Sequence, residues 1–295
     1  CWGYNNYGQV GDGSVGTERY VATNVSMPSG KQGRSLSHGP QASHMCAIMT
    51  DGSLYCWGYN YYGQIGDGTT CTSSSYLNGC NGQTGRSSPV EVSLPTGRTV
   101  TAVSTGMYHT CAILDDGSVW CWGYNTYGQL GVGNMSSGTW AYTPTPTLLP
   151  AGRTATAIAS GYAHTCAALD DNSMVCWGYN NQYQLGNSSI STNDHQATPV
   201  YAATGLLLNS VTAGESHTCA ISTDNIAYCW GSNPSGGLGD GTTTERESPV
   251  AVSLPSGRTA KSVSAGDHHT CAVLDNGLAY CWGYGSYAGS TGGTR

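Results

Sequence analysis

The sequence predicts an all-β protein, a β-propeller of four-stranded antiparallel blades with six or seven blades and an incomplete terminal blade. The first observation is a repeated motif, His-Thr-Cys-Ala followed by Cys-Trp-Gly-Tyr-Asn, whose clearest copy spans 109–125. The second is its period, because successive Cys-Trp-Gly triplets are 55, 65, 55, 53 and 52 residues apart. The third is strand-like rather than helical alternation within each copy. Long repeats with this patterning are typical of radial arrays of β-sheets.

One repeat can be divided into strands by its alternation and its turn residues. Residues 89–94 and 99–106 alternate in the manner of half-buried strands, and 95–98 (Pro-Thr-Gly-Arg) form a turn between them. Residues 109–114 and 119–124 are predicted to pair as a hairpin, because Gly117 in the intervening turn tolerates a positive φ. Each unit therefore supplies four antiparallel strands.

We expect a single domain over 1–295, since a repeat array needs no internal boundary. Residues 70–85 and 133–146 are predicted to be loop insertions, and the chain opens inside a repeat, so we expect it to be processed or to be part of something longer. The repeat triplets begin at Cys1, Cys56, Cys121, Cys176, Cys229 and Cys281.

The composition disfavours nucleic-acid binding and membrane insertion. Charged residues make up 9% of the chain, against about 25% in a typical protein, and the formal net charge is −7. Such a chain is a poor electrostatic partner for a phosphate backbone. There is no apolar stretch of about 18 residues that could cross a bilayer.

The cysteine spacing predicts a disulfide in each repeat. Cys111 and Cys121 flank the predicted hairpin at equal offsets, which places them opposite each other and within bonding reach. The alternative is a metal site built from His109, Cys111 and Cys121, but the fourth ligand and the close Cys-x-x-Cys spacing of zinc sites are absent. The predicted bridges are Cys46–Cys56, Cys71–Cys80, Cys111–Cys121, Cys166–Cys176, Cys219–Cys229 and Cys271–Cys281.

An oxidising compartment follows from these bridges, so the protein is expected outside the cell or at its surface. Three Asn-x-Ser sequons agree with that compartment and predict glycosylation at Asn24, Asn134 and Asn187. Cys1 follows the repeat pattern but has no upstream partner, and we expect it to be unpaired or bonded to sequence outside the chain.

No catalytic, metal or cofactor site is predicted. The repeated histidines recur at one position of every unit, and a catalytic group would be unique rather than repeated. They are expected to pack and to form hydrogen bonds between strands. The best interface candidates are instead the aromatic residues Trp140, Tyr7, Tyr62 and Tyr127, of which Trp140 is expected in the long loop. The tyrosines could equally serve for packing between blades.

The repeat resembles that of the regulator of chromosome condensation family. The resemblance is carried by Gly106-x-x-His109-Thr110-x-Ala112, by Asp116-Gly117-x-Val119-x-x-Trp122-Gly123-x-Asn125, and by 128–131 (Gly-Gln-Leu-Gly). It recurs five times in order and implies a β-propeller, usually of seven blades. The family includes nuclear exchange factors, plant photoreceptors and secreted inhibitors of β-lactamase, so it implies architecture better than function. The hairpin cysteines look more like those of the secreted members.

We therefore expect a non-catalytic extracellular module with a structural or adhesive role, of the kind that a subunit of a surface assembly or filament would have. Its partners would be proteins, copies of itself or a glycan. The first alternative is a secreted binding protein, either an enzyme inhibitor or a lectin-like protein. The second alternative, a guanine-nucleotide exchange factor, is disfavoured because it would work in a reducing compartment.

Overall fold

In a computed structural model of the chain, which describes residues 1–71, 84–135, 140–202 and 205–285, the ordered backbone is organised entirely as strands and turns. The predicted all-β fold class is confirmed. Nineteen strands form five antiparallel sheets, four of four strands and one of three. No helix in the described part of the chain is long and apolar enough to span a bilayer.

The strands follow the chain in sheet order, so each sheet is an up-and-down meander. The first sheet contains β1 (Gly33–Ser37), β2 (His44–Met49), β3 (Leu54–Tyr59) and β4 (Gly85–Glu91). The second contains β5 (Val100–Thr105), β6 (His109–Leu114), β7 (Val119–Tyr124) and β8 (Trp140–Pro146). The third contains β9 (Ala155–Ser160), β10 (His164–Leu169), β11 (Met174–Gly178) and β12 (Gln196–Tyr201).

The fourth sheet contains β13 (Leu208–Ala213), β14 (His217–Ser222), β15 (Ala227–Gly231) and β16 (Arg246–Ala251). The fifth contains β17 (Ala260–Ala265), β18 (His269–Leu274) and β19 (Ala279–Gly283). Residues 1–32 add a partial blade, in which Gly3 pairs with Arg19 as Gly58 pairs with Arg86 in the first sheet. This agrees with a propeller whose terminal blade is incomplete.

The sequence repeat and the blade are out of phase. Residues 89–94 were predicted to open a four-stranded unit, but Pro89, Val90 and Glu91 end β4, which pairs with β3 of the preceding sheet. The second, third and fifth sheets instead begin at the strand that follows a Pro-x-Gly-Arg turn. The hairpin of 109–124 is confirmed, with Cys111 opposite Cys121 and Gly117 at φ +77°.

The hydrophobic core lies between neighbouring sheets rather than within one of them. One cluster joins Leu54 and Ile65 to Leu114 and Trp122 of the second sheet, and equivalent clusters join each later pair of sheets. The second strand of a blade is therefore buried on both faces, which explains its nearly continuous apolar sequence. The first strands contact one another in turn, and the turns that follow β1 and β17 line a common cleft.

The strand directions define two edges of the array. The edge where first strands end, third strands end and fourth strands begin carries most of the tyrosines and is called here the tyrosine edge. The opposite edge carries the tight turns between second and third strands and is called the hairpin edge. In three of these turns an aspartate caps the loop, as when Asp116 Oδ1 accepts the backbone N–H of Ser118 at 3.0 Å.

Candidate functional site

The repeated histidines join neighbouring blades to each other. His109 Nε2 lies 2.9 Å from Thr165 Oγ1 of the next sheet, and Thr165 Oγ1 in turn donates to the carbonyl oxygen of Gln129 at 3.1 Å. Trp177 Nε1 donates to the same carbonyl oxygen at 2.9 Å. The equivalent histidine contacts are His44 to Thr110, His164 to Thr218 and His217 to Thr270. The histidines were expected to bond between strands, and the structure shows that the bonds run between blades.

The hydrogen-bond directions assign the proton on these rings. Because the threonine hydroxyl donates its only proton to a carbonyl, it must accept from the histidine, so Nε2 carries the hydrogen. Within the described residues, Nδ1 of His44, His109 and His164 has no hydrogen-bond partner. Burial lowers the pKa of each of these three rings to about 3 and that of His217 to about 4. These histidines are therefore neutral structural groups at physiological pH and are poor candidates for acid–base chemistry.

The hairpin cysteines are joined as disulfides. The structure contains Cys46–Cys56, Cys111–Cys121, Cys166–Cys176, Cys219–Cys229 and Cys271–Cys281, each with a Cα separation of 4.0 or 4.1 Å. The alternative metal site at His109, Cys111 and Cys121 therefore fails, because its two sulfurs are bonded to each other and its imidazole Nε2 is bonded to Thr165.

Cys71 and Cys1 are the cysteines outside the five hairpin bridges that the structure describes. Cys71 is disulfide-bonded, whereas Cys80, its predicted partner, lies outside the described residues. Cys1 is a half-buried free thiol beside Met45, whose sulfur lies 4.0 Å from Cys1 Sγ. Its proposed external partner remains a prediction.

Three repeats also contain an internal ion pair that the sequence reasoning missed. Arg86 Nε lies 3.1 Å from the carboxylate of Asp67, and both side chains are more than nine-tenths buried. Arg19 pairs with Asp12 and Arg246 with Asp240 in the same way. In the second sheet Val132 and Ala141 replace both members together, since Ala141 occupies the strand position of Arg86 opposite a glycine. An alignment of the repeats with one another would have indicated this interaction, because the aspartate and the arginine are replaced together.

The buried side chains described so far recur from blade to blade. A continuous set of aromatic side chains on the tyrosine edge does not, because it is present in only some of the blades. We call it the aromatic band, and all of its members are half-buried. Its members are Tyr7, Tyr59, Tyr62, Tyr108, Tyr124, Tyr127, Trp140 and Tyr179. The band runs from the N-terminal partial blade across the first three sheets.

Tyr62 lies at the centre of the band. Its ring centroid is 4.9 Å from each of those of Tyr108, Tyr124 and Trp140, and the Trp140 contact is edge-to-face. Tyr7 extends the band on one side through a 4.7 Å contact with Tyr59, and Tyr127 extends it on the other through a 4.8 Å contact with Tyr179. Edge-to-face and tilted pairs are the favoured aromatic geometries, so the rings support one another while part of each stays in solvent.

The environment raises the pKa of several tyrosines in the band and beside it. Burial, followed by the neighbouring tyrosines, raises the pKa of Tyr62 and of Tyr108 above the usual value. Burial also raises the pKa of Tyr162, beside the band, with Tyr127 and Glu215 adding to the shift. The hydroxyl groups of these three tyrosines therefore remain neutral hydrogen-bond donors at physiological pH.

The band has a defined end because the repeats diverge. Ser232 and Ser235 occupy the positions of Tyr124 and Tyr127 in the fourth sheet, where the tyrosine edge loses its aromatic side chains. At the third sheet the band ends at His195, whose ring centroid is 4.8 Å from that of Tyr179. The band therefore covers one part of the tyrosine edge and not the whole of it.

The four predicted interface residues come together in this band. Trp140 was placed in a long loop, which is wrong: it begins β8, and its ring packs on Tyr62 and Tyr124. Its indole Nε1 is buried and has no acceptor among the described residues. Tyr7, Tyr62 and Tyr127 occupy one repeat position, which the sequence indicated, whereas Tyr108 joins them from the turn between first and second strands, which no sequence spacing indicated.

The three sequons differ in the accessibility of their asparagines. Asn24 and Asn134 are exposed. Asn187 is half-buried, and its Nδ2 donates to the carbonyl oxygen of Tyr201 at 2.9 Å, which occupies the atom that a glycan would use. Asn24 and Asn134 are therefore more accessible than Asn187, and glycosylation stays a prediction.

Comparison with known proteins identifies the repeat. The sequence model for the regulator of chromosome condensation (RCC1) repeat matches residues 51–113, 116–168 and 224–273. A second model of the same repeat matches 100–129, 155–184, 209–236 and 260–288. The chain belongs to the RCC1 repeat family.

Relatives in this family extend beyond the chain. The ultraviolet-B receptor UVR8 of Arabidopsis thaliana is 27% identical over 286 residues, which cover 97% of the chain and 60% of the receptor. The X-linked retinitis pigmentosa GTPase regulator homolog of Caenorhabditis elegans is 26% identical over 321 residues, covering 96% of the chain and 22% of that protein. The chain thus spans about three fifths of the receptor and much less of the second relative.

Solved structures agree on the architecture. Yeast RCC1 (Prp20) bound to Kap60 superposes with a TM-score of 0.76 at 25% identity, covering 96% of this chain and 65% of that one. Human WBSCR16 superposes with a TM-score of 0.79 at 20% identity, covering 96% of this chain and 70% of that one. Together with the five described sheets, these similarities show an RCC1-type β-propeller.

Proposed function

We propose that the protein is a non-catalytic, extracellular interaction module that binds a protein partner through the aromatic band. The observation that carries the proposal is the contrast between two sets of residues. The cysteine, histidine and threonine side chains that recur from blade to blade form disulfides and inter-blade hydrogen bonds. The band, by contrast, is present on only part of one edge and is half-exposed.

The aromatic composition of the band supports binding. Tyrosine and tryptophan provide large contact areas together with a polar atom, and they are enriched at the energetic centres of protein interfaces. Binding by similar proteins supports the same role, since yeast RCC1 (Prp20) forms a complex with Kap60 and binds Gsp1p and histones.

The extracellular location is proposed from the disulfides. One bridge in each of the five described sheets is a pattern that persists in oxidising compartments and is rare in the cytosol. The exchange-factor alternative is favoured only by the names of relatives, a GTPase regulator homolog among them. The module would act as a structural or adhesive element, with self-association or glycan binding as the competing roles.

Affinity capture tests the proposal. The oxidised full chain and its Tyr62→Leu variant would be immobilised separately and exposed to culture medium, a cell-surface extract and a cytosolic extract. We expect a protein from the medium or the surface to be retained by the wild type and lost with the variant. The proposal would be contradicted if the wild type and the Tyr62→Leu variant retained the same proteins in equal amounts. It would also be contradicted if all retained proteins came from the cytosolic extract. Light scattering of the free chain separates self-association from binding to another protein.

A further inference from the structure

We infer that the aromatic band is a binding site for a cationic peptide segment, one that presents arginine or lysine side chains to the faces of Tyr62, Tyr124 and Trp140. The inference rests on the proposed function and names the chemistry of its partner. It depends on a separation of charge between the two edges of the blades.

Six of the basic side chains in the described part of the chain lie on the hairpin edge. They belong to the turns between blades or to the first residues of first strands, so the topology places them away from the aromatic band. They are Lys31, Arg34, Arg98, Arg153, Arg258 and Lys261. Several of them contact aspartates of the hairpin turns, as Arg98 does with Asp116 at 2.8 Å.

Basic side chains at the tyrosine edge are all neutralised. In the described part of the chain these are Arg19, Arg86 and Arg246, and each is paired with an aspartate of the loop before its strand. Such pairing leaves no lysine or arginine at this edge that could repel a cation.

Carboxylates flank the band where it ends. Asp194 is exposed and directly precedes His195, whose ring packs against Tyr127 and Tyr179. Glu215 lies beside Tyr162, whose backbone N–H donates to the Glu215 carbonyl oxygen at 3.3 Å. Glu215 also lies 3.1 Å from Nε2 of the exposed His268. Two carboxylates therefore lie on the segments that adjoin the third-sheet end of the band.

Cation–π attraction explains why rings rather than carboxylates form the centre. A guanidinium within about 6 Å of a tyrosine or tryptophan ring is attracted by the ring quadrupole, most strongly for tryptophan. The ring centroids of Tyr62, Tyr124 and Trp140 lie 4.9–6.5 Å from one another, and each of these side chains is half-buried and keeps part of its surface in solvent. Arginine can also stack on these rings while it keeps hydrogen-bond donors for the flanking carboxylates.

A charge-matched peptide pair tests the inference directly. The probes are acetylated, amidated (Gly-Arg)4 and the same peptide with citrulline in place of arginine, which keeps the shape and removes the charge. Binding to the oxidised full chain would be measured by calorimetry at two salt concentrations. We expect saturable binding of the arginine peptide, at least tenfold weaker binding of the citrulline peptide, and weaker binding at higher salt.

Matched variants separate π attraction from hydrophobic contact. Tyr62→Phe keeps the ring and should bind within about threefold of wild type, whereas Tyr62→Leu should bind about five- to thirtyfold more weakly. Glu215→Gln and Asp194→Asn should each weaken binding a few fold. Trp120→Leu and Asp224→Asn alter an aromatic and an acidic residue near the hairpin edge and should leave the affinity unchanged. Thermal melting of each variant confirms that it is folded.

Other outcomes overturn the inference. These include equal affinity for the arginine and citrulline peptides, equal affinity of the Phe and Leu variants, or no binding of the arginine peptide. Binding of nonaproline or chitohexaose in place of the arginine peptide would assign the band to a proline-rich or glycan partner instead. If the arginine peptide fails while affinity capture still retains a protein that Tyr62→Leu loses, the cationic chemistry is wrong and the interaction module stands.

Discussion

The Nε2 atom of His109 lies 2.9 Å from Oγ1 of Thr165, which belongs to the next blade. Both side chains are fully buried, and the hydroxyl also donates to the Gln129 carbonyl oxygen. One threonine therefore links three segments that are distant in sequence. Four such contacts run between successive sheets, so we expect them to define how the blades pack.

Replacement of Thr165 by valine should destabilise the protein by about 2–3 kcal/mol. The substitution keeps the shape but leaves the buried His109 N–H without an acceptor, and an unmet buried donor costs about 1–3 kcal/mol. The free energy of unfolding from urea titration measures the loss. Thr101→Val is the matched control, because Thr101 is exposed and its hydroxyl bonds only within its own sheet. An equal effect of the two substitutions would contradict the assigned role.

Stability should fall as the pH drops below 6.5. The folded-state pKa of His44, His109 and His164 is about 3, below the unfolded value of about 6.5. The unfolded chain therefore binds more protons between these values, and the stability that is fully present above pH 6.5 is lost as the pH falls towards 3. Each histidine contributes at most about 1.4 kcal/mol per pH unit.

Urea titrations at pH 7.5 and pH 5.0, with the disulfides intact, measure this dependence. His109→Gln removes one titrating group and should reduce the difference between the two pH values by up to about 2 kcal/mol. Thr101→Val, which changes no titratable group, should leave that difference unchanged. Unfolding free energies that agree at both pH values would show that the histidines are not held neutral.

Gly66 is expected to tolerate no side chain. Its φ is +79°, and an added Cβ would lie 2.6 Å from Nε1 of the buried Trp122. Gly97 has the same φ of +79° but has nothing within 4 Å of an added Cβ. Gly97→Ala should therefore cost only backbone strain, about 1–2 kcal/mol, and Gly66→Ala should cost about 1–3 kcal/mol more. Similar melting temperatures for the two variants would show that the Trp122 contact is unimportant.

The Asp67–Arg86 pair should show strong coupling. Asp67→Val or Arg86→Ala alone leaves a buried charge unpaired and should cost about 3–5 kcal/mol. The double variant reproduces the natural Val132 and Ala141 of the next repeat and should be more stable than either single variant. Chemical denaturation of the four proteins gives the coupling energy. Additive losses would mean that the two side chains do not act as a pair.

Much of the fold could be predicted from the sequence because its determinants are local and repeated. The predicted hairpin of 109–124 matches β6 and β7, and the five described bridges match the spacing of their cysteines. Both follow from alternation and equal offsets within one hairpin. The blade boundary was misplaced because the repeat alone does not show with which sheet 85–91 pairs.

The candidate site was only partly predictable because its members come from different blades. The repeat position of Tyr7, Tyr62 and Tyr127 could be found in the sequence. Tyr108 reaches Tyr62 from another turn, at 4.9 Å, and this contact depends on how blades are stacked. Likewise, the neutralisation of Arg19 and Arg86 at the tyrosine edge became visible only when strand directions were known.

Disulfide mapping of the native protein, isolated from its source with free thiols blocked at once, tests the central claim most directly. The claim is that a covalently closed hairpin holds each described blade of a propeller that works in an oxidising compartment. Peptide mass spectrometry without reductant should recover Cys46–Cys56, Cys111–Cys121, Cys166–Cys176, Cys219–Cys229 and Cys271–Cys281 as bridged pairs. Blocked, unbridged thiols at these ten positions would contradict the account.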